Sequence, residues 1–125
     1  MERFRGKKVT VVGFARSGRA AVRLLAKAGA RVRVSEALHQ ERFAEDLSAL
    51  FEQGVEFEFG GHRPESFWGA EMIVISPGVP LELPALKQAR AEGIPIMGEV
   101  ELASLFTSAT LVGVTWSNEI GRAHV

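Results

Sequence analysis

The sequence predicts an α/β fold: a doubly wound, mostly parallel sheet of five to six strands with helices on both faces. Short β-branched or apolar runs alternate along the chain with segments whose apolar residues recur at helical spacing, and glycine or proline stands between them. The two most apolar runs, 9–12 and 72–76, predict central strands that are covered on both faces.

The first strand, at 9–12, ends at Gly13 and is followed by a turn at 14–18. A helix is predicted next because four apolar residues share one of its faces: Ala21, Leu24, Leu25 and Ala28. Gly29 is placed to end this helix in the left-handed conformation. Valine and arginine then alternate over 31–35, which predicts a second strand with one buried face.

The middle of the chain predicts a helix and a strand, followed by a short helical piece and the central strand. Helical spacing of four apolar residues predicts a helix over 39–52, with Gly54 after it: Phe43, Leu47, Leu50 and Phe51. Period-two alternation over 55–59 predicts a third strand. A turn at 60–64 and a short helical piece at 65–68 lead to the central strand at 72–76.

The remaining elements begin after the break at 77–80. A helix is predicted over 84–92, because Pro84 is well suited to a first helical turn. A short strand at 94–97, a helix at 99–106 and a last strand at 111–115 complete the alternation.

Composition excludes several classes of protein. A chain of 125 residues suffices for one ordinary domain, and its 46% apolar residues indicate a globular one. Fifteen basic and fifteen acidic residues balance, which argues against binding to nucleic acid. The chain has no cysteine, no apolar leader and no run long enough to cross a bilayer, so we expect a soluble, cytoplasmic protein that does not contact a membrane.

The turn from Gly13 to Gly18 lies between a strand and a helix, where α/β folds bind nucleotides. Unpaired N–H groups at the helix start attract phosphate, and glycine allows close approach. The middle glycine of the dinucleotide fingerprint is replaced by Ala15, which counts against ordinary NAD binding. The alternative is a tight turn needed only for packing.

Three further segments belong to the same predicted rim. Glu36 follows Gly18 by 18 residues, where an acid would bond ribose hydroxyls; a solvated carboxylate or a helix-start acid is the alternative. Arg16 and Ser17 either cap the helix or face water. The bend at 76–78 follows the central strand and faces the same crevice.

Glu99 is interpreted as a helix-start acid and His62 as a turn residue. The histidine spacing predicts no metal site, and no hydrolase triad is visible.

Three stretches together resemble the Mur ligase family, in particular its D-glutamate-adding members. They are VTVVGFARSGRAAVRLLAKAGARVRVSE at 9–36, SPGVP at 76–80 and GIPIMGEVELA at 93–103, and the resemblance runs from about residue 7 to residue 115. The sister that adds L-alanine typically has a more glycine-rich first loop and ranks second.

The resemblance implies a monomeric, three-domain cytoplasmic enzyme of peptidoglycan synthesis. Such an enzyme uses ATP and Mg²⁺ to activate the carboxylate of UDP-N-acetylmuramoyl-L-alanine as an acyl phosphate, which D-glutamate attacks. Residues 1–110 would be its Rossmann-like, UDP-binding N-terminal domain. The residues implied to line the UDP site are Gly13, Arg16, Ser17, Gly18, Glu36, Ala37 and Gly78. The family often has Asp in place of Glu36, and hydroxyl or basic residues around Ala37 and Leu38.

The resemblance also implies an ATP loop similar to GTNGKST after the last strand. Residues 111–118 would begin the central ATP-binding domain, where Thr115 and Asn118 fit the loop but Trp116 takes a glycine position. The expected lysine does not follow, and EIGRAHV at 119–125 resembles a translated sequencing adapter, so we expect a non-native tail. The chain alone would then bind neither ATP nor Mg²⁺ and would be inactive. The alternative function is an NAD-binding module of a regulatory protein or oxidoreductase.

Overall fold

The computed structural model describes residues 2–43 and 47–110. The strands are β1 (Lys8–Val12), β2 (Arg31–Glu36), β3 (Glu56–Phe59), β4 (Met72–Ile75) and β5 (Ile96–Gly98). The α-helices are α1 (Arg16–Lys27), α2 (Ser48–Glu52), α3 (Pro84–Ala91) and α4 (Glu99–Thr110). Short 3-10 turns occupy Glu2–Phe4, Gln40–Arg42 and Pro64–Phe67.

The five described strands form one sheet in the order β3-β2-β1-β4-β5, and every neighbouring pair is parallel. The chain winds outward from β1 to β3, crosses back to β4 and winds outward again to β5. The direction of winding therefore reverses between β1 and β4, the place where open α/β sheets bind ligands. The predicted doubly wound parallel sheet is confirmed.

Helices cover both faces of the sheet, as predicted. Side chains alternate along β1, so Val9 and Val11 pack on one face, while Thr10 and Val12 point to the other. The first face is covered by α1, α2 and α4, with a core that includes Val22, Leu25, Val34, Leu50, Val74 and Leu102. The second is covered by α3 and the Pro64–Phe67 turn, around Val12, Phe67, Ile73, Leu86 and Ala89.

Phe14 anchors the loop after β1 to the core. Its ring is fully buried and meets Phe43 and Phe57 edge-on, at centroid distances of 5.5 and 5.1 Å. Complete burial of such a ring contributes about 2–3 kcal/mol. This packing fixes the position of the residues on either side of Phe14, which form the glycine turn.

The single helix predicted over 39–52 is wrong. Gln40–Arg42 is a 3-10 turn, Phe43 is extended, and α2 covers only Ser48–Glu52. Phe43 leaves the helical conformation because its ring packs against Phe14 and Phe59. Spacing alone cannot show this, since those partners lie far away in the sequence.

Smaller differences concern element ends and burial. In α1, Val22 is fully buried together with the predicted Leu25, whereas the predicted Leu24 is only half-buried. The strand predicted at 94–97 is found at Ile96–Gly98, and α4 continues to Thr110. The predicted sixth strand at 111–115, together with Thr115 and Asn118, lies outside the described residues. Within residues 2–43 and 47–110, no helix has the length and apolar character needed to cross a membrane.

Candidate functional site

The crevice between the carboxyl ends of β1 and β4 brings two predicted segments into contact. Gly13 has a φ of +98°, and its N–H donates to Ser35 O at 2.8 Å. A Cβ placed on Gly13 would lie 2.6 Å from Ser76 Oγ, so only glycine allows this approach. The segments 13–18 and 76–78 therefore share one edge of the sheet, as the sequence predicts.

The start of α1 is packed tightly against this loop. Gly18 is buried, and a Cβ on it would lie 2.2 Å from Gly13 O. Ala15 stands at the N-cap without a side-chain hydrogen bond, and the first turn of α1 contains no acidic residue. Ala15 therefore gives the first N–H groups of α1 no side-chain cap, and the helix dipole places a partial positive charge at this end. Arg16 is exposed beside it.

Glu36 connects the loops that follow β1 and β2. Its side chain is buried; Oε1 accepts the Phe14 N–H at 2.6 Å, and Oε2 accepts the Leu38 N–H at 2.8 Å. The sequence predicted for Glu36 either a contact with ribose hydroxyls or a solvated position, and neither prediction included these backbone donors. Each carboxylate oxygen keeps a second lone pair, so the contact with ribose hydroxyls stays a prediction. In addition, Glu36 holds together the loops that follow β1 and β2.

The other predicted residues lie at the same edge with more exposure. Ala37 follows β2 and is exposed, and Gly78 is exposed in the bend after β4, where a Cβ would have nothing within 4 Å. The backbone of Ser17 lies in the first turn of α1. Gly13, Gly18 and Glu36 thus lie beneath a more exposed rim that carries Arg16, Ala37 and Gly78.

Glu99 contributes a carboxylate that sequence reasoning did not place here. It begins α4, and its Oε2 accepts the Ser76 hydroxyl at 2.6 Å. The same oxygen lies 3.3 Å from the position of a Cβ on Gly18. The other oxygen, Oε1, is buried without a hydrogen-bond partner among the described residues. The available signal was topological: α4 starts directly after β5, at the same sheet edge.

Comparison with known proteins identifies the family. A family model described as "Mur ligase MurD-like, N-terminal domain" matches residues 7–98. The UDP-N-acetylmuramoylalanine–D-glutamate ligase of Acidobacterium capsulatum is 47% identical over 114 residues, which are 91% of this chain and 25% of that protein. The enzyme of the same name from Anaeromyxobacter dehalogenans is 45% identical over 115 residues, with the same coverage. The chain belongs to the Mur ligase family.

This Mur ligase domain spans about a quarter of the length of the curated relatives it matches. Solved structures agree on the fold. UDP-N-acetylmuramate-alanine ligase MurC from Thermotoga maritima gives a TM-score of 0.65 at 23% identity, covering 82% of this chain and 23% of that one. D-lactate dehydrogenase from Escherichia coli gives 0.51 at 24% identity, covering 76% and 29%. The fold is thus shared with a dehydrogenase, and it is the sequence match that identifies the ligase family.

His62 is a second residue whose role the sequence did not reveal. Its Nδ1 lies 2.7 Å from Ser35 Oγ, close to the carboxyl end of β2, so it is more than the turn residue that was predicted. Burial lowers the pKa of His62 below its ordinary value of 6.5, while the Glu36 carboxylate acts in the opposite direction. The Mur ligase domain therefore favours a neutral imidazole beside Glu36.

His62→Asn is expected to reduce the loss of stability of the Mur ligase domain on mild acidification. The unfolded chain takes up a proton near pH 6.5, whereas folded His62 does so only at lower pH. Stability therefore falls as pH drops through 6.5 and stops falling, for this group, below the folded pKa. Asparagine keeps a polar atom near Ser35 and does not titrate. Urea unfolding from pH 8 to 5 measures this; a difference between variant and wild type that is constant with pH would contradict it.

Two cavities lie away from this edge. One of about 420 Å³ opens near the amino ends of β1 and β2, beside Lys8, Arg31 and Trp68. The other, of about 240 Å³, lies between α3 and the Pro64–Phe67 turn. Within the described part of the chain, no group of three or more potential ligands is arranged to hold a metal ion. We place the candidate site at the carboxyl edge because uncapped helix amides and bare glycines meet there.

Proposed function

We propose that residues 1–110 hold the UDP part of UDP-N-acetylmuramoyl-L-alanine at the crevice between β1 and β4. The domain would belong to a longer ligase that joins D-glutamate to this substrate in peptidoglycan synthesis. The relatives that carry this activity in their names support the proposal. The structural observation that carries it is the start of α1, which lacks an N-cap side chain and packs against Gly13, while Gly13 in turn contacts Ser76 in the bend after β4.

A diphosphate has the chemistry that this crevice can recognise. Backbone N–H groups at a helix start donate to phosphate oxygens, and the helix dipole favours the negative charge. Arg16 is exposed at the same turn and supplies a guanidinium. Gly78 leaves the opposite wall without a side chain, so a ligand can approach its backbone.

The alternative function, NAD binding through the same fold, is less well supported. A dehydrogenase shares the fold, but only at a level of identity that shows the fold alone. Ala15 occupies the position where the dinucleotide fingerprint requires a glycine, so a methyl group stands where the pyrophosphate would meet bare backbone. The family match favours the ligase.

The remaining steps would depend on residues beyond the described domain. We propose that ATP and Mg²⁺ bind to a central domain that begins at 111–118, with Thr115 and Asn118 in its loop, and that D-glutamate binds outside residues 1–110. ATP would activate the substrate carboxylate. The full enzyme would be a cytoplasmic monomer, and the isolated domain would be inactive.

Calorimetric titration of the chain with UDP and, separately, with NADH tests the site. We expect weak UDP binding, with a Kd on the order of 0.1–1 mM, because contacts from other domains are missing. Arg16→Gln should weaken it about fivefold by removing one charge beside the phosphates. Lys27→Gln removes the same charge at the opposite end of α1 and should change little. Binding of NADH without any response to UDP would overturn the assignment.

A further inference from the structure

The Glu99 carboxylate lies close to the first turn of α1, where an anionic ligand is expected. Its Oε2 is 3.3 Å from the Cβ position of Gly18 and is held there by the Ser76 hydroxyl at 2.6 Å. The first turn of α1 has no acid of its own. A protein carboxylate thus already occupies part of the region whose dipole attracts phosphate.

Glu99 is not needed to cap its own helix. At the start of α4, Glu101 Oε1 accepts the Gly98 N–H at 2.7 Å. Glu99 turns instead toward Ser76 on the neighbouring loop, and its Oε1 is buried without a partner among the described residues. The dipole of α1 attracts this carboxylate, but leaving one of its oxygens desolvated without a hydrogen bond is unfavourable.

We propose that Glu99 is a specificity-determining residue that excludes phosphate from the deep part of the crevice beside Gly18. Dinucleotide-binding folds place a pyrophosphate against the start of this helix. A second negative charge in a partly desolvated crevice is strongly repelled, because water screens it poorly. The diphosphate is therefore confined to the outer part of the crevice, where it meets the backbone N–H groups near Arg16 and the backbone of Gly78. The inference rests on the proposed UDP site.

Ser76 acts in this arrangement as a positioning residue. Its hydroxyl directs the carboxylate toward α1, and its own loop is fixed by the Ser76 N–H, which donates to Val12 O at 3.1 Å. The sequence SPGVP thereby has two functions. Its first residue orients the repelling charge, while Gly78 leaves room for the ligand.

Glu99→Gln in the same chain tests the proposal, because it keeps an oxygen that can accept the Ser76 hydroxyl and removes the charge. Calorimetric titration should show UDP binding tightened on the order of tenfold, and measurable binding of NADH where the wild type shows little. Glu101→Gln is the matched control: it makes the same charge change two residues away, at an exposed side chain, and should alter the Kd less than twofold. Glu99→Ala should reproduce the gain if Glu99→Gln does not fold.

The outcomes separate the inference from the proposed function. Unchanged or weaker UDP binding by both Glu99 variants, with a wild type that binds UDP, overturns the role of Glu99 and leaves the UDP site intact. Weaker binding only when Mg²⁺ is present would show that Glu99 holds a bridging cation, which also overturns it. If the wild type does not bind UDP while Glu99→Gln gains NADH binding, the result supports the exclusion of phosphate by Glu99 and contradicts the UDP site. No binding by any variant contradicts both.

Discussion

Gly18→Ala is expected to destabilise the domain by about 3 kcal/mol and to abolish UDP binding, because overpacking against rigid backbone is costly. The new Cβ would lie 2.2 Å from Gly13 O and 3.0 Å from Gly13 C, both of which are backbone atoms that cannot rotate away. The start of α1 would have to move away from the loop after β1. Urea unfolding gives the loss of stability, and calorimetry gives the loss of binding.

The direction of the stability change caused by Gly18→Ala distinguishes the close contact from its absence. Gly18 lies within α1, where alanine is intrinsically favoured over glycine by about 1 kcal/mol. Without the close contact, Gly18→Ala would therefore stabilise the domain. Gly98→Ala is the control, since its Cβ would make only an ordinary contact of 3.6 Å with Glu101 Oε1. A Gly18→Ala variant at least as stable as the wild type, with UDP affinity intact, would exclude the close packing of Gly18 against the backbone of Gly13.

The sequence was sufficient to predict the sheet because its strands are covered on both faces. The runs at 9–12 and 72–76 are apolar in almost every position, as parallel strands between two helical layers must be. Helices α1 and α3 could also be predicted from the sequence, because their apolar spacing and the adjoining Gly29 and Pro84 are features of the local sequence alone. Local information therefore determined the order of the elements and, through it, the position of the crevice.

The predictions that were wrong or incomplete concern residues whose positions depend on contacts between distant parts of the chain. Phe43 interrupts a helical pattern because its partners, Phe14 and Phe59, come from other elements. Glu99 turns toward Ser76, which is 23 residues away, and nothing in its own helix signals that direction. His62 meets Ser35 in the same way, across 27 residues. Such polar pairs follow from register and loop geometry rather than from composition.

The glycines of the site could be predicted from the sequence more fully than its acidic residues. A glycine between a strand and a helix indicates a close approach whatever the partner is, so Gly13 and Gly18 could be selected from the sequence. An acid in a loop is compatible with solvent, with a ligand or with a backbone donor. The structure shows that Glu36 meets backbone donors, which changes the expected effect of its removal.

Glu36→Ala is expected to destabilise the domain by about 4 kcal/mol, because it removes two hydrogen bonds to a charged acceptor at a site where water cannot fully replace them. The Phe14 N–H, which donates to Oε1 at 2.6 Å, would lose its partner next to a fully buried ring. The loop after β2 would also lose the Leu38 N–H contact at 2.8 Å. Glu36→Gln keeps one acceptor oxygen and should cost about half as much.

Glu56→Ala provides the matched control for this loss. Glu56 is also a strand glutamate, but its side chain is 65% exposed and pairs with Arg33 at 3.0 Å, so its removal should cost less than about 1 kcal/mol. If Glu36→Ala and Glu56→Ala unfold at similar urea concentrations, Glu36 does not hold the glycine turn. If instead Glu36→Ala alone loses both stability and UDP affinity while Glu36→Gln retains part of each, the carboxylate supports the crevice through the backbone. A ribose contact alone would lower affinity and leave the unfolding midpoint unchanged.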